Sequence, residues 1–374
     1  MVAEMVPGNG ALTCIGQGGD GILQLEDIAL HVLTLDVDIL ESVMGMLVPP
    51  CSVAAPGTEV QWRLKVKERR MVIRDDEGVS QGRLFVELPY GGRRLAVTGL
   101  DEGVLRLVAV YRRGALPAVM EVDARQRVTR LLVALGDAGG LRWADYLARA
   151  FFAPRLLVSG WRMLHASAVA IGGRALVFLA GRHGGKSTLA HRAVRELGAR
   201  FLADDLVMIG RDGTVVGWPT RVAVPAQLAG DAVGRRECRV VDGVVRERVL
   251  FTPAQHRAAL GVEYSPPVPL GAVVIVDSRS AAGTGVGAEP ADARTLGRAV
   301  AGAVEVPQQM LYVSDPFGLM GGPRLADQAA ATAPSAGLLT GVPAVVLRLA
   351  VEQLPQAPVW QALDGIVPGT GQRW

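Results

Sequence analysis

The sequence predicts an α/β chain in two parts: a β-rich α+β domain over residues 1–150, then a domain over residues 151–374 in which strands alternate with helices. Three observations predict it. Runs of alternating apolar and polar residues separated by glycine-rich turns fill the first part. A buried strand, a glycine-rich loop and an amphipathic helix follow one another over 174–197. The length of 374 residues, 50% of them hydrophobic and 20% charged, is enough for two cores.

In the first part, Gln61-Trp-Arg-Leu-Lys-Val-Lys67 and Arg83-Leu-Phe-Val-Glu-Leu88 alternate as half-buried strands do. Arg94-Leu-Ala-Val-Thr98 and Val104-Leu-Arg-Leu-Val-Ala-Val-Tyr111 are further strands. The Gly-Gly and Asp-Glu-Gly turns between these runs predict antiparallel hairpins or a meander. Residues 28–48 are predominantly apolar and read in part as a helix, and 141–157 read as a helix leading into the second part. There is no internal repeat.

The second part opens near Trp161. Leu164-His-Ala-Ser-Ala-Val-Ala-Ile171 reads as a strand, Gly172-Gly173 as a two-residue turn, and Arg174-Ala-Leu-Val-Phe-Leu-Ala180 as a short buried strand. Ser187 to Leu197 carries Leu189, Ala193, Val194 and Leu197 at helical spacing, and Gly198 stops that helix. Ala199-Arg-Phe-Leu-Ala203, Asp204-Asp205 and Leu206-Val-Met-Ile209 follow, then the apolar run Ala272-Val-Val-Ile-Val276, a central-strand candidate. Residues 278–290 read as a flexible loop and 291–304 as a helix. The segment 323–374 alternates Ala-rich and Pro-rich pieces and has no clear role at this level.

Three lysines occur in the chain, at Lys65, Lys67 and Lys186; every other Lys/Arg cation is arginine. Lys186 sits in Ala180-Gly181-Arg182-His183-Gly184-Gly185-Lys186-Ser187-Thr188, between the strand and the helix. That is the context of a phosphate-binding loop, G-x-x-x-x-G-K-[ST], with Ala180 at the first glycine position. Glycines let successive N–H groups turn toward phosphate, and the helix N-terminus adds positive potential. A compact ammonium reaches into such a cradle where a planar guanidinium fits less readily. Gly181, Arg182, His183, Gly184, Gly185, Lys186, Ser187 and Thr188 are therefore the candidate nucleotide contacts, with the Ser187 hydroxyl on Mg²⁺. The plainer alternative is a glycine-rich turn with an incidental lysine.

Asp204-Asp205 stands one strand beyond the loop helix. Adjacent aspartates at a strand junction point in different directions, so one can serve a metal ion while the other faces an incoming hydroxyl, the two tasks of a phosphoryl-transfer site. Alone, such a pair reads as a solvated turn. His165 is either a half-buried histidine with satisfied partners or a group assisting the aspartates. His183 lies inside the loop; His31, His191 and His256 read as structural. Arg221, Arg246 and Arg248 are candidates for the arginine that such a site places on the transferred group, or else surface cations.

Taken together, His165-Ala-Ser-Ala-Val-Ala, the Gly-Gly turn, the apolar strand, Gly-Arg-His-Gly-Gly-Lys-Ser-Thr-Leu-Ala and Ala-Arg-Phe-Leu-Ala-Asp-Asp-Leu-Val resemble the kinase domain of the HPr kinase/phosphorylase family. Precursor-peptide kinases found with lasso-peptide enzymes are relatives, and phosphoenolpyruvate carboxykinase is a more distant one. The resemblance covers residues 160–222 and extends loosely to 315. It implies a P-loop domain with a mixed sheet and an ATP- and Mg²⁺-dependent kinase acting on a hydroxyl. It also implies Lys186 and Ser187 on phosphates and Mg²⁺, one of Asp204 and Asp205 as general base with the other (Asp204 by preference) on the metal, and His165 assisting. The chain departs from the family at Ala180, lacks a C-terminal Glu-x-Arg-Gly signature, and has a different N-terminal region, which points away from HPr as the acceptor.

The remaining numbers exclude several classes. A net charge of +3 is no nucleic-acid-binding surface. Cys14, Cys51 and Cys238 form no zinc spacing. No apolar run reaches the roughly 18 residues that span a bilayer, and no signal peptide is evident. The expectation is a cytoplasmic kinase taking ATP and Mg²⁺, with a peptide, protein or small-molecule hydroxyl acceptor, no nucleic-acid or membrane partner, and homo-oligomerisation open. The N-terminal domain is expected to select the acceptor, its hairpin edges receiving an extended peptide. The alternatives are a nucleotide-binding regulatory module or NTPase without kinase activity, and a carboxykinase-like enzyme, which the scarcity of lysine disfavours.

Overall fold

The computed structural model describes residues 19–70, 84–88, 93–110, 116–241, 244–278, 285–304, 318–323, 339, 341–350, 353–354 and 356–364. The chain divides into two compact units, Met1–Arg155 with Gln308–Leu325, and Leu156–Pro307 with Ala326–Trp374. The fold is mixed α/β, with large mixed sheets and few helices.

The first unit contains β1 (Asp20–Leu25), β2 (Ile28–Thr34), α1 (Val37–Leu47), β3 (Ser52–Ala54), β4 (Trp62–Arg69), β5 (Leu84–Leu88), β6 (Arg93–Asp101), β7 (Val104–Val110), β8 (Ala118–Asp123) and β9 (Val128–Ala134). Helix α2 (Ala138–Val158) follows and crosses the division between the units. The strands form one sheet in the order β3-β1-β2-β4-β9-β8-β7-β6-β5. Alternation is visible on β4, where Trp62, Leu64 and Val66 are buried and Arg63 and Lys67 exposed. The antiparallel meander expected from the turns holds for β5 through β9, but β4 runs parallel to both β2 and β9. Alternation reports which face a residue takes, not strand direction. The crossover that a parallel pair needs is supplied by α1 and β3, with Asp36 capping α1 by accepting from the Asp38 N–H at 2.8 Å.

Residues 318–323 are strapped to this sheet. The Trp62 indole donates to Thr129 Oγ1 at 2.9 Å, and the Thr129 hydroxyl donates to the Leu319 carbonyl. Gly321 lies flat on the Trp62 ring at φ +61, where a Cβ would come within 2.1 Å of it. Arg155 donates to the carbonyls of Met320 and Gly321 at 2.9 and 3.0 Å.

The second unit contains β10 (Arg162–His165), β11 (Ser167–Ile171), β12 (Arg174–Ala180), α3 (Lys186–Leu197), β13 (Arg200–Ala203), β14 (Leu206–Ile209), β15 (Thr214–Gly217), β16 (Val222–Pro225), α4 (Ala226–Ala229), β17 (Arg235–Val241), β18 (Val244–Phe251) and α5 (Pro253–Leu260). Then come β19 (Val268–Asp277), β20 (Gly287–Pro290), α6 (Ala293–Ala303), β21 (Ala344–Arg348) and α7 (Val359–Leu363). The main sheet runs β10-β14-β15-β19-β12-β11-β13, with β21 parallel to β19 and β20 on β21; β16-β18-β17 form a smaller sheet. The stretch 278–290, expected as a loop, thus ends in a strand. The glycines and alanines before it mask a four-residue pairing with β21 that carries no apolar alternation of its own.

Strand β12 is buried on both faces, which is why it reads as a continuous apolar run. Leu176 and Phe178 pack with Leu189, Ala190 and Ala193 of α3, joined by Leu347, Leu354 and Trp360. Val177 and Leu179 pack on the opposite face with Leu296 and Ala303 of α6. The segment 323–374, without a clear role in sequence, therefore supplies a central strand and part of a core. Cys51 is buried and Cys238 exposed, both as free thiols, while Cys14 lies outside the described residues. No helix among the described residues is long and apolar enough to cross a membrane.

Close packing makes one glycine diagnostic. A Cβ at Gly217 would lie 1.8 Å from the Leu202 carbonyl oxygen, whereas one at Gly297, inside α6, meets open space. Gly217→Ala should lower the stability of the second unit by about 1–3 kcal/mol. Gly297→Ala should raise it by about 0.4–1 kcal/mol. Urea midpoints at unchanged m-value would record both.

Candidate active site

Three chain segments converge at the end of β12. The antiparallel register of β11 on β12 sets Ser167 opposite Phe178, near the end of β12, while His165 closes β10 opposite Leu206 of β14. From Ala180 the chain enters the loop and then α3, which begins at Lys186 with Gly185 as its cap. Meanwhile β13 ends at Ala203, opposite Ala168, and Asp204-Asp205 carry the chain across to β14. The β10-to-β11 and β13-to-β14 corners lie side by side: the Ala166 N–H donates to the Asp205 carbonyl at 3.1 Å, and the Ser167 hydroxyl donates to the Asp204 carbonyl.

The loop is compact because of its glycines. Gly184 donates to the Gly181 carbonyl at 3.0 Å, and a Cβ on Gly184 would lie 2.7 Å from the Ala180 methyl. His183 takes φ +62 and Gly185 φ +90, conformations in the left-handed region that a non-glycine residue adopts rarely. The Lys186 ammonium folds back over the loop and donates to the carbonyls of Ala180 and Gly181 at 3.1 and 3.4 Å. Ala180, the departure from the motif, thus contributes through its carbonyl, which any residue would supply. Ser187 and Thr188 are half-buried in the first turn of α3, and Arg182 is exposed.

A loop of this build suits a polyphosphate. The N–H groups at the start of α3 have no carbonyl within the helix to receive them, and they add positive potential beside an ammonium. Mg²⁺ in phosphate sites takes one or two protein oxygens together with phosphate and water, and Ser187 offers such an oxygen.

The aspartates diverge. Asp205 is half-exposed, with Oδ1 3.5 Å from His165 Nε2. Asp204 is buried; its Oδ2 accepts from the Ala223 N–H of β16 at 2.8 Å, while Oδ1 is enclosed with no hydrogen-bond partner. Of the two oxygens of Asp204, the expected metal residue, one is thus engaged by backbone and the other is enclosed. Arg221 lies two residues before Ala223 and so belongs to this neighbourhood. Arg248, by contrast, pairs with Pro225 at the far end of β16, and Arg246 lies two residues further out along β18. The register thus separates the three in backbone position: Arg221 precedes β16, Arg248 pairs with its last residue, and Arg246 lies beyond.

Behind Asp204 stands a cluster drawn from elements far apart along the chain. His191 Nδ1 lies 2.7 Å from the Ser187 carbonyl, and His256 Nδ1 lies 2.9 Å from the Tyr264 hydroxyl. The two imidazoles meet edge-on at 5.2 Å, with the Phe201 ring against both. Burial lowers the His191 pKa, opposed by the Asp204 carboxylate and the Ser187 carbonyl. Burial, with His191 and Arg257 nearby, lowers that of His256 to about 3, and burial raises that of Tyr264. One signal for this cluster was present: Ser187 and His191, four apart on a helix, share a face.

The C-terminal part of the unit closes over the loop helix. Arg192 donates to the carbonyls of Leu354 and Ala357 and pairs with Glu196, which also accepts from the Trp360 indole at 2.7 Å. This places Leu354 against Gly185, where a Cβ would approach its Cδ1 to 1.9 Å.

No protein-family model matches the chain, and no curated protein matches it. Among solved structures, the chain is similar to the Hpr(Ser) kinase/phosphatase from Coxiella burnetii, at 8% identity over 52% of this chain and 89% of that one, with a TM-score of 0.23. A likeness of that size carries no weight for function, which has to be read from the side chains.

The His256 environment gives a pH dependence. Its pKa is about 3 when folded and about 6.5 unfolded, so the stability it contributes is complete above pH 6.5 and falls as pH drops toward 3. Between pH 7 and pH 5 the loss should be about 2 kcal/mol. Urea unfolding at the two pH values should show it, and His256→Gln should remove that increment while leaving the background of the carboxylates.

Proposed function

We propose that the second unit is an ATP- and Mg²⁺-dependent phosphotransferase acting on a hydroxyl, either Ser or Thr of a peptide or protein or a small-molecule alcohol. What supports this reading is a lysine-bearing glycine loop that follows β12, in a unit that also holds a half-exposed Asp205–His165 pair beside the start of β11. A nucleotide-binding module needs only the loop. The half-exposed Asp205 carboxylate adds a group able to take a proton.

The residues divide the work. The backbone of 181–188 and the Lys186 ammonium hold phosphates, Lys186 exchanging the carbonyls of Ala180 and Gly181 for phosphate oxygens. Ser187 holds the metal ion. Mg·ATP, when bound, supplies the transferable phosphoryl group and the charge that offsets the leaving phosphates. Asp205 accepts the proton of the acceptor hydroxyl, and His165 beside it orients the carboxylate. Asp204 holds the corner through Ala223, and Arg221, two residues before Ala223, is assigned to the transferred group. The first unit, which has no comparable loop among its described residues, selects the acceptor.

Two substitutions test this. Lys186→Ala should abolish Mg·ATP binding in calorimetry, and Lys186→Arg should fail nearly as badly, because the loop needs a compact ammonium and not charge alone. Asp205→Asn should keep nucleotide affinity within about threefold while transfer slows by about a hundred- to ten-thousandfold. Transfer is followed with γ-labelled ATP and candidate acceptors encoded beside the gene, the label appearing as an acid-stable, alkali-labile ester. Wild-type transfer by Asp205→Asn would make the aspartate pair a solvated corner. Label released only as free phosphate with every acceptor would favour an NTPase module.

A further inference from the structure

Three buried polar atoms around the Asp204 corner have no hydrogen-bond partner: Asp204 Oδ1, His191 Nε2 and His256 Nε2. Each belongs to a residue under a tenth exposed. They come from three elements that sequence keeps apart, the β13–β14 corner, α3 and α5, yet the residues gather in one place. The two imidazoles are in ring contact, Phe201 walls them both, and Asp204 acts electrostatically on His191 and on Tyr264. Leaving such atoms unsatisfied is unfavourable, and native interiors rarely do so.

The other nitrogens of the rings fix what can fill the gap. His191 Nδ1 faces the Ser187 carbonyl, which has no proton to give, so Nδ1 carries the hydrogen and a neutral ring presents Nε2 as an acceptor. Asp204 Oδ1 is an acceptor as well, and two acceptors cannot satisfy each other. At His256 the Tyr264 hydroxyl can donate to Nδ1, which leaves Nε2–H as a donor. One donor and two acceptors around a polar enclosure are the complement of a single water, which accepts one bond and donates two.

We propose that one enclosed water joins Asp204 Oδ1, His191 Nε2 and His256 Nε2, and that His191 is thereby a positioning residue linking the loop helix to the aspartate corner. Through Nδ1 it holds the carbonyl of Ser187, and through the water it holds the carboxylate of Asp204. The phosphate loop and the backbone of Asp205 are thus registered against each other across the core, from the side away from substrate. Asp204 gains a role as an anchor in place of a metal ligand. The positioning claim rests on the phosphotransferase reading above; the water does not.

The test has two arms on the full chain. A crystal structure of the wild type at a resolution that orders solvent should show one water within hydrogen-bonding distance of the three atoms, and ¹⁵N NMR of the imidazoles should find His191 as the Nδ1–H tautomer. A direct His191–Asp204 contact, or a dry enclosure, overturns the proposal whether or not the protein transfers phosphate. The second arm follows slow hydrolysis of Mg·ATP, with water in place of the acceptor. His191→Phe keeps a ring and loses the acceptor; it should lower kcat by about ten- to a hundredfold with nucleotide Kd unchanged within about threefold. His191→Gln restores an amide acceptor and should recover part of the loss, and it serves in place of the Phe variant should that one fail to fold. Wild-type kcat in both variants overturns the positioning role. If the wild type hydrolyses nothing, the same comparison is made on phosphoryl transfer to the acceptor found in the labelling experiment, and the crystal and NMR arm decides the water independently.

Discussion

Everything at the candidate site depends on two chain corners locked together. The passage from β10 to β11 and the passage from β13 to β14 cross at the same level, tied by the Ala166 N–H on the Asp205 carbonyl and the Ser167 hydroxyl on the Asp204 carbonyl. Ser167 is completely buried, so its hydroxyl has no water to fall back on, and losing that bond would strand a desolvated group. The lock fixes the backbone of both aspartates. At the bend between β13 and β14 one carboxylate is buried and the other half-exposed. Asp204 reaches Ala223 and the core, and Asp205 reaches His165 and solvent.

This arrangement gives the two carboxylates different surroundings. On the outer side, the ammonium of Lys186 lies over the carbonyls of a loop too tight for side chains at Gly184, and a half-exposed carboxylate stands nearby. On the inner side, α3 is held by its apolar face against β12 and by Arg192 against the carbonyls of Leu354 and Ala357. A charged group beside water and a polar group within a core have different dielectric surroundings, so the same pair of residue types can serve different ends.

Much of this was legible in the sequence because it is local. The strand, loop and helix of 174–197 are contiguous, and their signals (a buried run, Gly184-Gly185-Lys186, apolar spacing, Gly198) need no knowledge of the rest of the chain. The hairpin at Gly172-Gly173 was equally readable, and β11 pairs with β12 across it. What was not legible is non-local. The parallel course of β4 depends on a crossover and leaves no trace in alternation. Strand β20 is defined by its partner β21, nearly sixty residues on. The three arginines look alike in sequence, and only the register of β16 on β18 separates Arg221 from Arg246 and Arg248. His256 joined His191 and Asp204 through packing alone, since α5 carries no spacing that points toward either.

The contact of Leu354 with Gly185 also has a meaning in time. A ribosome delivers Gly185 long before Leu354, and during that interval the loop's backbone lacks the surface that confines it. Strand β21 is delivered late as well, so the parallel neighbour of β19 and the carbonyls that receive Arg192 arrive together. Contacts so distant along the chain form slowly, since the intervening segment has to be ordered first. The glycine loop is therefore an early recognisable motif of the unit in sequence and among the last parts to take its final shape during synthesis. A nascent chain halted before that point would carry the motif without the finished loop.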